Sequence, residues 1–435
     1  MQNNREQWSS KVLFLFAAIG SAVGLGNIWR FPYIMGEYGG AVFLFVYMFF
    51  ILTICVIPLI CELSIGKYTK RENVCAYTVV NPKLKFFGWI NVITATIISS
   101  FYFVVGGWII HYIYISLVNH NFENYSDYFF NFVSLPVLPY ILTLIFLATC
   151  VFFVCRGVNK GIELGNKIMM PIFLLILIVL ATVSISLPNG YKGLEFMFKP
   201  DFSKMSFEMI LAALGQSFFT LSIGAGPLLV YGSYMKEKED VIKNAYLIIF
   251  ADTIFALLAG IMIFPAVFSF GLKSDSGAGL VFITLPKIFA QMSYGSLFAL
   301  LFFILLLFAA LTSAISLAEA QTAAYIENFH LSRKKAAILA FIIVAILALP
   351  VSLSFGILSN VKIFSKSFFD LFDFITSNIL MPLNSIIICI IFGWLIKIKK
   401  VLIFKNEYIY RIFSVLVKYI VPLALTVLLI CGLIK

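Results

Sequence analysis

Charge is what this sequence has little of. Only 12% of its 435 residues are Asp, Glu, Lys or Arg, about half the share near 25% found in soluble domains. Histidine occurs three times; His111, His120 and His330 form no cluster and indicate no metal site. The seven cysteines are scattered, most of them inside apolar runs, and none forms a Cys-x-x-Cys pair. That pattern disfavours metal and disulfide roles and fits small buried side chains. A cleavable leader is not expected either. Residues 1–11 are polar, and the apolar run after them ends in Arg30-Phe31-Pro32 rather than in small residues.

What is present is apolar. Hydrophobic residues make up 62% of the chain, against about 45–50% in soluble domains, more than one soluble core of this size could hide. The chain is therefore expected to be an all-α polytopic membrane protein, not a soluble enzyme, a disordered chain or a secreted disulfide scaffold. A transmembrane barrel would alternate apolar and polar residues; here the apolar runs are continuous. Eleven of them are expected to span: about 12–35, 41–66, 87–118, 137–155, 166–187, 208–234, 242–270, 295–326, 336–352, 369–396 and 411–434. Residues 123–136 and 188–206 read as loops, and 273–295 as a mixed stretch holding short helices.

The net charge of +11 invites a polyanion-binding reading until the positions of the charges are considered. With the N-terminus inside, 21 of the 31 Lys and Arg residues fall in the inner connections and eight in the outer ones. This asymmetry is the positive-inside rule. It places the N-terminus in the cytoplasm and, with eleven spans, the C-terminus outside.

Segments one and six carry matching interruptions. Gly20-Ser21-Ala22-Val23-Gly24-Leu25-Gly26-Asn27 and Thr220-Leu221-Ser222-Ile223-Gly224-Ala225-Gly226-Pro227 each place Gly-x-Gly near mid-segment. Glycine and proline weaken a helix there. Small residues for close helix packing are the plain alternative for either segment alone. Two such segments five apart point instead to an inverted repeat with a site at the midplane. Unwound backbone at that depth must find partners. Half-helix N-termini suit a carboxylate, and free carbonyls and hydroxyls suit a small hard cation.

The run Gly24-Leu25-Gly26-Asn27-Ile28-Trp29-Arg30-Phe31-Pro32-Tyr33 resembles the first-helix signature of the neurotransmitter:sodium symporter family. Residues 215–222 and 308–313 resemble its sixth- and eighth-helix motifs, and the resemblance covers nearly the whole chain. It implies a LeuT-type fold: a 5+5 inverted repeat plus one extra helix, with helices 1 and 6 broken. The chain would be one transporter domain, with repeats of about 12–187 and 208–396 and an extra helix of about 411–434. It implies sodium-coupled import of an amino acid by alternating access across a bacterial cytoplasmic membrane. Partners would be that small molecule and the bilayer, with no nucleic acid, in a monomer or weak dimer.

Carried over by position, the resemblance implies two sodium sites. Sodium 1 would be held by Ala22, Asn27, Thr220 and Asp252, together with the substrate carboxylate. Sodium 2 would be held by the carbonyls of Gly20, Val23 and Ala309 and the hydroxyls of Thr312 and Ser313. The substrate carboxylate would meet the backbone of Gly24, Leu25 and Gly26 and the hydroxyl of Tyr102. Its amine would meet carbonyls of Ala22 and Phe219 near Thr220 and Ser222. Ile98, Phe219, Ser222, Ala225, Ser313 and Leu317 would surround its side chain. Arg30 and Asp373 would form an outer gate bridged by water. Arg5, Trp8, Ser233, Tyr234 and Glu327 would form an inner one.

An aspartate at a span centre costs about 2.5–3.5 kcal/mol on insertion scales, so such residues are functional by default. Asp252 falls where chloride-dependent relatives carry an asparagine, and its fixed charge implies transport without chloride. Glu62 and Glu319 are also within spans. Gly161 and Pro171 have the spacing with which some bacterial relatives unwind the fifth helix. Ala225 replaces a bulky residue found in several relatives, which implies a hydrophobic or aromatic amino acid as substrate. An amino-acid sensor and an ion channel on the same fold are the rival readings. No nucleophile–base pair supports an enzyme.

Overall fold

The computed structural model describes residues 6–118, 122–271, 279–404 and 406–434. Among these residues nine helices are long and apolar enough to cross a membrane. In chain order they are α2 (Ala41–Thr69), α3 (Pro82–Leu117), α4 (Leu138–Cys155), α5 (Val158–Ile185), α7 (Val241–Ser269), α8 (Gly295–Phe329), α9 (Arg333–Leu353), α10 (Phe368–Leu395) and α11 (Glu407–Leu433). The segment before them, α1, is a pair of helices, Lys11–Ala22 and Gly26–Glu37, bent by 51° at the break. The segment between α5 and α7, α6, is also divided, into Phe207–Thr220 and Pro227–Ser233. Each half is too short to cross alone, because about 20 residues are needed. The two expected interruptions are therefore real breaks in the helices.

Burial orders the bundle. The most apolar window of α3 is 78% buried and that of α11 only 22%, so α3 is central and α11 lies at the edge. Lys11–Ala22 packs against α5, α7 and α8, and both halves of α6 lie along α2. Apolar lipid gives helices no hydrophobic reason to associate, so close backbone approach matters. A Cβ on Gly66 of α2 would sit 2.0 Å from the Leu229 carbonyl oxygen, and one on Gly232 would sit 2.6 Å from that of Leu63. These reciprocal glycines bring α2 and the second half of α6 into backbone contact.

Two regions expected to be loops contain helices. Tyr125–Val133 is capped by Asn124, whose Oδ1 accepts from the Ser126 amide at 2.9 Å. Its ring face packs on α3, with Phe129 5.5 Å from Trp108 and Phe132 stacked 3.8 Å from His111. Tyr125, Tyr128, Phe129 and Phe132 recur at helical spacing; the polar residues between them obscure the pattern. The second, Gly190–Phe198, lies on α7, and a Cβ on Gly193 would meet the Pro265 nitrogen at 2.3 Å. In the mixed stretch, a helix covers Leu280–Ala290. His120 lies outside the described residues.

Candidate functional site

The two breaks meet at the centre of the bundle. Lys11–Ala22 ends with Val23 in an extended conformation (ψ 95°). Asn27 turns its amide back so that Oδ1 accepts from the Gly24 amide at 3.2 Å. In α6, Ser222 (φ 52°), Gly224 (φ 79°) and Gly226 (φ 97°) are all left-handed, which ends the helix. The Ser222 hydroxyl donates to the Ser21 carbonyl at 3.3 Å, joining one break to the other. The exposed backbone of Gly224 is matched on both sides. Its amide donates to Glu62 at 2.7 Å and its carbonyl accepts from Asn384 at 2.7 Å. Without such partners each buried group would cost about 1–3 kcal/mol.

Asp252, on α7, is fully buried beside both breaks. Its Oδ1 accepts from Asn27 Nδ2 at 2.8 Å, and both of its oxygens lie 3.3 Å from the Thr220 hydroxyl. Tyr47 of α2 approaches at 3.5 Å, a weak contact. No basic side chain among the described residues pairs with Asp252, so a buried carboxylate is held by neutral donors alone. Desolvating an ion costs several kcal/mol, which a bound cation would offset. Ala22, the fourth residue expected at sodium 1, is buried at the end of the first half of α1.

The residues expected at sodium 2 converge less completely. Ser313 donates to the Gly20 carbonyl at 3.1 Å and to that of Ser21 at 3.3 Å. Thr312 lies against Gly20, and its hydroxyl donates within α8 to Phe308 at 3.0 Å and Ala309 at 3.1 Å. Val23 and Ala309 are buried in the same core.

One small cavity, of about 40 Å³, opens between the breaks. The twelve residues expected to hold substrate all line it, from Ala22 on α1 to Leu317 on α8, joined by Phe101 and Met381. Tyr102 accepts from the Leu25 amide at 3.3 Å. A Cβ on Gly24 would fall 2.5 Å from Ser313 Oγ and 2.9 Å from the Tyr102 hydroxyl, so only glycine fits between them. Ala225 packs with Ala95, Leu317 and Ile98. A cavity of this size holds water; an amino acid requires its walls to part.

Outside lies a larger cavity of about 240 Å³, lined by Arg30, Glu37, Leu211 and Leu428 among others. Phe219 and Met381 line both cavities and form the partition. The Arg30 guanidinium stacks on Phe219, 4.1 Å from the ring centre. Arg30 and Asp373 do not come within ion-pair distance; Asp373 instead accepts from Ser377 at 3.0 Å.

On the opposite face Trp8 is fully buried, donating from Nε1 to the Tyr231 carbonyl at 3.0 Å and from its amide to the Tyr234 carbonyl at 3.1 Å. Ser233 is buried beside it. Tyr234 donates to Glu319 at 2.6 Å, and Arg333 grips the same carboxylate at 2.8 and 3.2 Å. Arg333 also reaches Glu6 at 3.3 Å. Glu6 in turn accepts from the Val158 amide at 2.7 Å, and Ser9 donates to Glu163, so the N-terminal segment is tied to the start of α5. Arg5 lies outside the described residues. Glu327 accepts from Arg71 at 3.4 Å and from the Glu72 amide at 3.3 Å. Glu72, Cys75 and Glu327 gather ligand atoms within 4.8 Å, but Glu72 is the cap of helix Asn73–Val80, accepting from Val74 and Cys75.

Sequence reasoning did not assign Tyr47, Gln216, Asn384, Met381 or Arg333. Gln216 donates to the Gly26 carbonyl at 3.1 Å and lies within the 215–222 motif; Tyr47, Asn384 and Met381 are single residues on apolar helices, and Arg333 stands in a run of three basic residues.

The chain is similar to known proteins. The chain matches the sodium:neurotransmitter symporter family over residues 5–127 and 134–435. It is similar to the uncharacterized sodium-dependent transporter YhdH of Bacillus subtilis, 39% identical over 88% of this chain and 86% of that one. It is also similar to an uncharacterized sodium-dependent transporter of Haemophilus influenzae, 34% identical over 99% and 98% of the two chains. Among solved structures it resembles the crystal structure of MhsT in complex with L-phenylalanine. The TM-score is 0.91, with 39% identity over 99% of this chain and 100% of that one.

Proposed function

The chain belongs to the sodium:neurotransmitter symporter family, and from that premise we propose that it imports a hydrophobic or aromatic amino acid with sodium, by alternating access and without chloride. The observation that carries the reading is Asp252. A buried carboxylate with no basic partner among the described residues, set against Asn27 and Thr220 at the junction of two broken helices, supplies the charge a sodium ion needs. The same charge stands in for chloride. The amides of Gly24, Leu25 and Gly26 and the Tyr102 hydroxyl supply donors for a carboxylate. Gly20, Val23, Ala309, Thr312 and Ser313 form the second sodium site. The two repeats, about 12–187 and 208–396, move around this centre.

Alternating access needs two gates. Phe219, under Arg30, closes the outer side, with Asp373 reaching Arg30 through water. Trp8, Ser233 and Tyr234, with Arg5 and Glu327, close the inner side, which we place in the cytoplasm of a bacterial cell. With alanine at position 225, the pocket admits a large side chain once its walls part, and the MhsT structure, which holds L-phenylalanine, supports that class.

The test is a sodium-dependent binding screen over the amino acids on purified protein, followed by uptake into proteoliposomes. Saturable uptake of one class, driven by an inward sodium gradient and unchanged in gluconate, is expected. Ligand binding without counterflow would favour a sensor. Sodium flux without substrate would favour a channel.

A further inference from the structure

One lysine of α11 lies where a bilayer disfavours it. Lys418 comes eleven residues after Glu407, where α11 begins, about 16 Å along the helix axis. Apolar side chains exposed on the protein surface flank it on both sides, Ile412 and Val415 before it and Ile420 and Leu423 after it. On a membrane-spanning helix those residues face lipid, so Lys418 stands within the apolar layer. A charge there is expensive unless it is matched. Among the described residues, no carboxylate comes within ion-pair distance of Lys418, nor of Arg411, Lys397 or Lys400.

The surroundings accommodate the amine without neutralising it. α10 and α11 meet through two wide turns, Ile391–Leu395 and Leu416–Ile420. Gly393 makes the room: a Cβ there would fall 3.0 Å from Lys418 Cγ. The amine lies 5.3 Å from the centre of the Trp394 ring, and Trp394 meets Tyr419 edge-on with ring centres 5.5 Å apart. Both rings are more than half exposed, as aromatic residues at a membrane–water boundary are. Side chains on a helix lean toward its N-terminus, so Lys418 reaches toward the start of α11, where Arg411 stands two turns earlier. Long basic side chains carry their charge to the headgroup level in this way. Residues 394–420 hold six Lys and Arg and one acid, Glu407, which is already paired with Lys399 at 2.8 Å.

Basic residues in a connection orient a chain without holding a ligand. Lys418 differs from them: it is submerged, lacks a carboxylate and is set beside exposed aromatic rings. We propose that the cleft between the end of α10 and the start of α11 is a binding site for an anionic phospholipid. The lipid phosphate sits between Lys418 and Arg411, against the Trp394 and Tyr419 rings, and its acyl chains lie along the exposed apolar side of α11. The excess of positive charge selects a headgroup with net negative charge over a zwitterionic one.

The test uses the full-length protein in vesicles that mix brominated with ordinary lipid, and reads the quenching of tryptophan fluorescence. Bromine on an acyl chain quenches a tryptophan that it touches, and Trp394→Phe identifies the share that comes from Trp394. Brominated phosphatidylglycerol is expected to quench Trp394 with an apparent affinity roughly tenfold above that of brominated phosphatidylcholine. Lys418→Gln and Arg411→Gln should each abolish most of that preference, and Lys418→Arg should keep it. Lys397→Gln combined with Lys400→Gln is the control and should leave it in place. Equal quenching by the two lipids in the parent, or a preference that survives Lys418→Gln, overturns the proposal. A preference lost only in the control also overturns it, because the attraction is then diffuse. Displacement of the brominated lipid by inorganic phosphate would assign the site to a soluble anion and overturn the lipid. If Lys418→Gln does not fold, Arg411→Gln decides by the same measure.

Discussion

Asn27 and Asp252, 225 residues apart, are joined by a 2.8 Å hydrogen bond that ties the break in α1 to the middle of α7. Two unit charges 4 Å apart attract by about 4 kcal/mol at an effective dielectric of 20, so Asp252 would contribute strongly to holding a sodium ion bound beside it, as proposed. Asp252→Asn keeps the size and removes the charge. Sodium affinity should fall at least about tenfold and recover in part when chloride is supplied. Sodium-dependent binding measured in chloride and in gluconate checks this, with the parent insensitive to the exchange. A parent that needs chloride would overturn the charge argument.

The contact of Ala225 with Ala95, Ile98 and Leu317 predicts what a larger side chain would do. Ala225→Phe should shift preference toward small amino acids. Differences of single methylenes are worth about 1–3 kcal/mol in a pocket, so large substrates should lose roughly tenfold or more. Competition binding across glycine, alanine, leucine and phenylalanine reads this out.

Glu319 is buried at 0% exposure and its partner Arg333 at 21%. Removing one member of a buried pair costs about 3–5 kcal/mol, because the remaining charge is stranded. Arg333→Gln should therefore destabilise the protein clearly in detergent melting. Adding Glu319→Gln should restore much of the loss. Failure of the second change to rescue the first would mean that the pair is not the source of the effect.

A further substitution tests the break in α6. Gly224 is left-handed, and a Cβ there would lie 2.2 Å from the Met381 carbonyl oxygen. Gly224→Ala should cost more than the roughly 1–3 kcal/mol of backbone strain alone. Gly215→Ala is the control. It sits within Phe207–Thr220, where its Cβ would meet only a Leu428 methyl at 3.9 Å, and should be neutral. Melting temperatures of the two variants compare them.

Much of the architecture was legible because a bilayer demands long apolar runs and complete backbone pairing. The eleven segments and both breaks follow from that, and Gly24 and Gly224 carry their own signal. The helices Tyr125–Val133 and Gly190–Phe198 were not legible as helices, because each is short and half polar. The partners of the breaks were not legible either. A single Tyr47, Asn384 or Met381 on an apolar helix does not show which distant backbone it will meet. The role of Arg333 was hidden by its place in a run of basic residues, Arg333-Lys334-Lys335, where it reads as an orientation signal.

The 40 Å³ cavity between the breaks has a consequence for affinity. A chamber of this size must widen before it can be filled, so binding draws on whatever minority of the chain is widened. The measured dissociation constant then exceeds the intrinsic one by the inverse of that minority fraction. Whichever solute arrives first and favours the widened form raises the fraction available to the second. By linkage the second does the same for the first. Sodium and amino acid can thus reinforce each other beyond any direct contact between them, and a mutation that merely loosens Phe219 or Met381 would sharpen binding of both.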